Sequence, residues 1–264
     1  MRYLFFWIQA LLGTAALYLW GPKIHPLLLL PIAIGFFLGL CILFVLYLVV
    51  TSLMFSKEPP KRPNRFASLT VRLALPWFAL LLGSRITTRG KEKMPKEHAI
   101  YVSNHRSAFD PVFIMSAFPH RRTAFVSKLS VEKYPFIGAY MRACGYVFVD
   151  RESPMQALRA LHRAAKYVKE TKMNYGVFPE GTRSRDGKLL PFKEGAFVLA
   201  KKSDTPIVVM TVEGSENAIS RLPFHLPRIR VTVHGVIPVE EVRALSVQEL
   251  AERARAMMAA YLEG

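Results

Sequence analysis

Two long apolar runs near the N-terminus constrain the fold of this chain more than any other feature. Residues 3–20 contain no charged side chain, and residues 27–55 are again uncharged after a break that contains two prolines. As a helix, the first run nearly matches the roughly 30 Å hydrocarbon core of a bilayer, and the second is long enough to cross it with tilt. The sequence therefore predicts a two-helix transmembrane hairpin over residues 1–56.

Cations on either side of the two runs predict their orientation. Arg2 and the α-amino group precede the first run, and Lys57, Lys61, Arg62 and Arg65 follow the second. Because cytoplasmic flanks carry the excess of Lys and Arg, both ends of the hairpin are expected in the cytoplasm. Lys23, in the short connection, weakens this asymmetry without reversing it. We expect an integral membrane protein whose residues after the hairpin face the cytoplasm at the inner (plasma) membrane.

The two alternatives to a spanning hairpin are a re-entrant hairpin and a cleaved signal peptide. A hairpin that enters one leaflet and returns keeps the residues after it on the same side. A cleaved signal peptide has a shorter apolar core with a small-residue cleavage site, and a second spanning run does not normally follow it so closely.

The net charge narrows the classes of partner. Thirty-six Lys and Arg against nineteen Asp and Glu give +17, which attracts a polyanion, either nucleic acid or anionic lipid. The apolar N-terminus favours the lipid bilayer as the partner and argues against nucleic acid. With only two cysteines, Cys41 and Cys144, the chain has neither a disulfide framework nor a CxxC metal site.

A basic linker and an apolar segment follow over residues 57–84. Residues 57–65 are basic and proline-rich, as expected of a stiff connection lying on lipid headgroups. Residues 66–83 carry one charge, at Arg72. Their length favours an interfacial or core helix over a third span.

Residues 85–264 alternate short β-rich runs with longer helical ones, which predicts an α/β fold with a mixed sheet flanked by helices. Apolar residues at helical spacing predict a surface helix near residues 153–170, and a second helix is expected at 246–262. The predicted strands are 85–90, 98–103, 123–127, 145–149, 174–178, 206–212 and 228–236.

Polar residues gather where the second predicted strand ends. His105 and Asp110 follow the apolar strand, at the position where α/β folds place active sites. Residues five apart do not share a helix face, so this pair can meet only across a turn. The alternative is that Asp110 caps a helix beginning at Pro111 and that His105 is an ordinary loop histidine.

A second polar cluster follows the strand at 174–178. It offers cations, a hydroxyl and glycines, which suit a phosphate monoester: Thr182, Arg183, Arg185, Gly187 and Lys188. It is not a P-loop, because five residues separate its glycines and Leu189 follows the lysine. A solvated charged loop is the alternative. Asp150 and Arg151, at a third strand exit, are by themselves more typical of a surface pair.

Three ordered blocks resemble the glycerolipid acyltransferase family, most nearly its bacterial 1-acylglycerol-3-phosphate acyltransferases. They are Asn-His-x-Ser-x-x-Asp at 104–110, Phe-Val-Asp-Arg at 148–151 and Pro-Glu-Gly-Thr-Arg at 179–183, and the resemblance covers roughly 85–235. It implies that His105 is the general base and Asp110 its partner. It also implies that the glycerol phosphate is contacted by Glu180, Gly181, Thr182 and Arg183, with Arg151 helping. The sequence departs from the family at Val209, where a second proline is common, in a block that the resemblance associates with the acyl or acceptor channel.

The resemblance implies acyl transfer from acyl-CoA or acyl carrier protein to the sn-2 hydroxyl of lysophosphatidic acid, giving phosphatidic acid. Apart from this co-substrate no cofactor or metal is expected, because an activated hydroxyl attacks a thioester directly. Backbone N–H groups in the turn after His105 are candidate donors to the oxyanion.

Other functions remain open at this stage. The acceptor can also be glycerol-3-phosphate or another lysophospholipid. A serine hydrolase is the second enzyme class, although the chain has no GxSxG motif and Ser107 lies only two residues from His105. A membrane-tethered nucleic-acid binder accounts for the charge but not for the three strand-exit blocks.

Overall fold

The computed structural model describes residue 13 and residues 26–81, 84–150, 152–184, 187–218 and 227–262. The chain divides into two compact units between Phe55 and Ser56. Apart from residue 13, the first apolar run lies outside the described residues, so the two-helix hairpin stays a prediction.

The first unit contains a helix, α1, over Pro26–Ser52. This confirms the helical prediction for the second apolar run. Among the described residues, Ile34–Ser52 is the stretch long and apolar enough to cross a membrane, as judged by length and composition. Large apolar side chains such as Ile42 and Leu43 are exposed on it. This exposure suits a lipid-facing helix better than the core of a soluble domain.

The second unit is built on a seven-stranded mixed sheet, as predicted. Its strands are β1 Arg85–Arg89, β2 Ile100–Ser103, β3 Thr123–Lys128, β4 Val147–Val149, β5 Asn174–Val177, β6 Ile207–Glu213 and β7 Arg228–Ile237. The order across the sheet is β1-β7-β6-β2-β5-β3-β4. Five strands run parallel, and β7 joins them antiparallel to β6 and parallel to β1. All seven predicted strands are present, with ends shifted by one or two residues.

Two groups of helices flank the sheet. Helix α2 contacts α3 and α4, while α6 contacts α5 and α8. Their bounds are α2 Arg65–Leu81, α3 Asp110–Ala117, α4 Ile137–Ala143, α5 Pro154–Thr171, α6 Gly195–Ser203, α7 Val239–Ala244 and α8 Val247–Leu262. Every residue of the central strands β2 and β5 is buried, as expected of strands covered on both faces. Edge strand β1 instead alternates between exposed and half-buried residues.

Helix α5 illustrates how local sequence fixes an element. Ser153 caps its N-terminus, where the hydroxyl accepts a hydrogen bond from the N–H of Gln156, and Pro154 occupies the first turn. The helix ends at Thr171, and the next residue, Lys172, has a left-handed backbone conformation. These signals explain why the helices predicted at 153–170 and 246–262 are found within one residue of those bounds.

Helix α2 is the segment predicted to be interfacial. It buries Ala67, Thr70 and Ala79 within the second unit and leaves apolar side chains exposed on its other side. The exposed residues include Phe66, Leu69 and Leu73. Contact with a bilayer stays a prediction.

The parallel strands bring the polar loops together. Because β2, β5, β3, β4 and β6 share one direction, their carboxyl ends lie at the same edge of the sheet. The segments that follow β2, β5 and β6 therefore emerge side by side, and they form the site described below.

Candidate active site

His105 and Asp110 meet across the turn after β2. The Nδ1 of His105 lies 2.8 Å from Oδ2 of Asp110, and the carboxylate is fully buried. The same oxygen accepts N–H bonds of 2.8 Å from Arg106 and Ser107. Two backbone N–H groups and the imidazole thus converge on one oxygen of Asp110 and fix its orientation. The carboxylate in turn fixes the tautomer that carries a proton on Nδ1 and leaves Nε2 free to act as a base.

The alternative role of Asp110 as a helix cap does not describe its side chain. Asp110 is the first residue of α3 rather than its cap, and its carboxylate turns back to the loop that precedes the helix. The N–H groups of Arg106 and Ser107 bind Asp110, so within this turn those two are already engaged. That the turn supplies donors to the oxyanion stays a prediction.

The segment after β5 holds the backbone and the ring of His105. Glu180 accepts a 2.8 Å hydrogen bond from the N–H of His105, and the N–H of Ser184 donates to the carbonyl of His105 at 2.8 Å. The imidazole stacks on Phe178 with 4.2 Å between ring centroids. The turn after β2 and the predicted phosphate loop after β5 are therefore held together by three contacts.

Glu180 spans this junction. Its Oε1 accepts from His105, and its Oε2 accepts from the N–H of Leu190 at 3.2 Å. Burial raises the pKa of the Glu180 carboxyl, while the hydrogen bonds from those two N–H groups act in the opposite direction. Both oxygens are thus used by the backbone, which makes Glu180 a brace. Its contact with a substrate phosphate stays a prediction.

The remaining predicted phosphate ligands lie on this segment. Gly181 has φ 69°, in the left-handed region, and Thr182 and Arg183 are exposed beyond it. A Cβ at Gly181 would lie 2.9 Å from Cε of Lys193, a cation that the sequence analysis did not single out. Arg151, Arg185 and Asp186 lie outside the described residues. Within the described residues, Arg183 is therefore connected to His105 through its neighbour Ser184, whose N–H donates to the carbonyl of His105.

Two further residues organise the site and were missed as functional from the sequence. The side-chain amide of Asn104 accepts from the N–H of Val212 at 2.8 Å and donates to its carbonyl at 3.0 Å, which ties the ends of β2 and β6 together. Arg106 donates to the carbonyl of Gly187 at 2.8 Å and lies 3.7 Å from a carboxylate oxygen of Glu216. Their positions beside His105 were the available signal, but their partners are distant in sequence.

The described residues contain no group of three or more His, Cys, Asp or Glu side chains placed to hold a metal ion.

The chain is similar in sequence to known acyltransferases. Residues 85–213 match the family model described as acyltransferase. The chain is 32% identical over 205 residues to the 1-acyl-sn-glycerol-3-phosphate acyltransferase of Escherichia coli, covering 78% of this chain and 82% of that protein. It is 36% identical over 159 residues to the protein of the same name from Limnanthes douglasii, covering 60% of this chain. The chain spans a little over half, 56%, of the length of the Limnanthes relative.

A solved structure shares the fold. The crystal structure of the 1-acyl-sn-glycerophosphate acyltransferase PlsC from Thermotoga maritima aligns with a TM-score of 0.56 and 24% identity, covering 98% of both chains. At that identity the likeness concerns the fold alone.

Proposed function

This chain belongs to the acyltransferase family, and from that premise we propose that it transfers a fatty acyl group from a thioester to the sn-2 hydroxyl of 1-acylglycerol-3-phosphate. The product is phosphatidic acid, a precursor for phospholipid biosynthesis. The observation that carries this proposal is the 2.8 Å contact between His105 and the buried carboxylate of Asp110, in a turn bonded directly to the loop of Arg183.

In the proposed reaction, Nε2 of His105 removes the proton from the acceptor hydroxyl as its oxygen attacks the thioester carbonyl. The tetrahedral intermediate collapses, the carbon–sulfur bond breaks and an ester forms. The imidazolium then donates its proton to the departing thiolate, so the enzyme returns to its starting state. Asp110 stabilises the imidazolium between the two proton transfers.

The acceptor is proposed to bind through its phosphate. Arg183 is the first candidate because a guanidinium binds a phosphate with two parallel hydrogen bonds. Gly181, Thr182, Arg151 and, by resemblance, Glu180 are the further proposed contacts. Since the phosphate is attached to the carbon next to the one that bears the sn-2 hydroxyl, holding it also sets the position of the reacting hydroxyl against His105.

The donor and the membrane complete the proposal. The acyl group arrives as acyl-CoA or acyl carrier protein, which is a co-substrate, and the reaction is proposed to need no other cofactor. Helix α1 supports attachment to the bilayer, where lysophosphatidic acid also resides. We propose an integral membrane protein with its catalytic unit at the cytoplasmic face of the inner membrane.

An acceptor panel tests this function. The full chain, purified in detergent, would be given labelled acyl-CoA or acyl carrier protein with lysophosphatidic acid, glycerol-3-phosphate, or lysolipids whose phosphate carries a headgroup. We expect lysophosphatidic acid to have the highest kcat/KM with at least one donor. A higher kcat/KM for glycerol-3-phosphate or a headgroup-bearing lysolipid would instead assign one of those as the acceptor.

An assay with the acyl donor and no acceptor tests the alternative that the protein is a hydrolase. Fatty acid released from the thioester without acceptor, at the rate of the complete reaction, would indicate a hydrolase. A His105→Ala variant sets the background in both assays.

A further inference from the structure

A second basic site lies beside the catalytic one at the same edge of the sheet. A cavity of about 360 Å³ opens where β1 and β7 begin and β6 ends. Because β6 runs parallel to β2, this end of β6 is also the end at which His105 emerges. The cavity is lined by Arg85, Thr87, Glu213, Gly214, Arg228 and Arg230.

The register of the strands concentrates positive charge in the cavity. Arg85 is paired directly with Arg228, and Thr87 with Arg230. The alternation of side chains puts all four on one face of the sheet. Like charges directly opposite each other destabilise a sheet, so this arrangement favours an anion that offsets the repulsion.

Among the described residues that line the cavity, Glu213 is the one carboxylate, and it already has two partners. Glu213 lies 3.8 Å from Arg230 and also accepts a hydrogen bond from the hydroxyl of Tyr261 at 3.3 Å. Arg85 and Arg228 are both exposed, and neither forms an ion pair with another described residue. Two guanidinium groups are thus left to receive a ligand.

We propose that this cavity binds the phosphate groups of a coenzyme A thioester, the acyl donor. This rests on the proposed acyl transfer, because it assigns the site of the donor for that reaction. The two substrates carry their phosphates at different distances from the reacting atoms. The acceptor phosphate lies within one glycerol of its hydroxyl, whereas the donor phosphates are separated from the thioester by the pantetheine arm.

The position of the cavity fits the longer separation. Strand β7 lies two strands from β2, and β1 lies three, which corresponds to roughly 10 to 14 Å across the sheet. Gly214 lines the cavity, and two residues further on Glu216 lies 3.7 Å from Arg106, the neighbour of His105. The segment after β6 therefore links the cavity to the residue beside His105, and the arm is proposed to cross the end of β6 toward the imidazole.

The shape favours a coenzyme over a carrier protein. A concave cavity of about 360 Å³ has the size of a site for a small molecule, whereas a protein partner docks on a surface of roughly 800 Å² on each side. Guanidinium groups supply the paired donors that phosphate oxygens accept.

Direct binding of free coenzyme A to the full-length protein, measured by calorimetry in detergent, tests the site without turnover. The variant Arg85→Ala/Arg228→Ala should raise the coenzyme Kd and the acyl-CoA KM by about tenfold or more, since two charge-assisted contacts are lost. The acceptor KM and kcat should change less than twofold. Arg89→Ala, on the same face of β1 but outside the cavity lining, is the matched control and should bind coenzyme A like the wild type.

The outcomes separate this site from the proposed function. Undetectable coenzyme binding by the wild type, or an unchanged coenzyme Kd in the double variant, overturns the site even if acyl transfer is observed. A double variant that loses affinity for acyl carrier protein or for anionic vesicles, but not for coenzyme A, also overturns it and assigns the cavity to that partner. Coenzyme bound through these arginines without acylation of lysophosphatidic acid refutes the proposed function alone.

Discussion

At the scale of single residues, His105 is fixed by four neighbours from two segments. Asp110 binds its ring nitrogen, Glu180 its N–H, Ser184 its carbonyl, and Phe178 covers one face of the ring. The side chain retains 14% exposure. An imidazole held this firmly, yet reachable, suits the proposed role of a base in a reaction whose rate depends on the position of one hydroxyl.

Removing the imidazole should therefore abolish turnover without unfolding the chain. We expect His105→Ala to lower kcat by 10²- to 10⁴-fold, the usual contribution of a general base. His120→Ala, which removes an exposed histidine outside this turn, is the control and should leave kcat unchanged. Steady-state kinetics with circular dichroism measure both effects. A His105→Ala enzyme with more than about a tenth of wild-type kcat would contradict the role.

Arg183 should affect the acceptor far more than the donor. Losing a charge-assisted bond of about 1.5 to 3 kcal/mol predicts that Arg183→Ala lowers kcat/KM for the acceptor about tenfold to a hundredfold. Arg183→Lys should rescue this in part, because it restores the charge but not the planar pair of donors. The exposed Arg159 on α5 provides the control substitution. A rise in the donor KM that spares the acceptor would make the loop a coenzyme site.

Glu180 distinguishes a brace from a substrate ligand. In Glu180→Gln one carboxylate oxygen becomes an NH₂ group, which cannot accept from either N–H. We expect kcat to fall about tenfold or more while both KM values change little, because the turn of His105 loosens. Glu194→Gln, an exposed residue of the same loop, should behave like the wild type. A selective rise in the acceptor KM would instead support the phosphate contact implied by the family resemblance.

At the scale of elements, the sequence predicted what depends on local pattern. Alternating apolar runs located all seven strands, and Ser153 and Pro154 marked the start of α5. The strand order could not be predicted in this way, because β7 inserts between β1 and β6 through pairings distant in sequence. The same holds for the partners of Glu180 and Asn104. A buried polar side chain can be recognised in a motif, but the backbone group that it binds is set by the tertiary fold.

The exposed apolar face of helix α2 is predicted to contact the bilayer. Leu69 and Leu73 are 53% and 62% exposed on the side that does not pack into the catalytic unit. Leu69→Glu/Leu73→Glu should reduce activity on lysophosphatidic acid in vesicles and spare activity on a short-chain, monomeric acceptor, because burying charge in a bilayer is costly. Met155→Glu/Leu158→Glu on α5 is a control with comparable exposure, at 62% and 41%. Equal losses on both substrates would show that the α2 face supports the fold rather than the membrane.

At the scale of the whole molecule, the charge and the apolar N-terminus point to the same partner. A net charge of +17 adds electrostatic attraction to a leaflet of anionic lipid, and α1 supplies an apolar stretch of membrane-spanning length. Under the proposed function, with an acceptor that resides in the bilayer, both features are expected to keep the catalytic unit close to its substrate.

The topology of the two N-terminal apolar runs decides which compartment supplies the acyl donor. If residues 3–20 and 27–55 both cross, the chain enters and leaves on the cytoplasmic side, as the cations after the second run favour. A reporter fused after Gly264 should then be active in the cytoplasm. In Lys23→Cys, the new thiol should react with a membrane-impermeant reagent added outside, whereas in a re-entrant hairpin it should not. The unsubstituted chain is the control, because Cys144 is buried and Cys41 lies within the apolar helix α1. A C-terminal reporter active only outside the membrane would contradict the cytoplasmic placement of the active site.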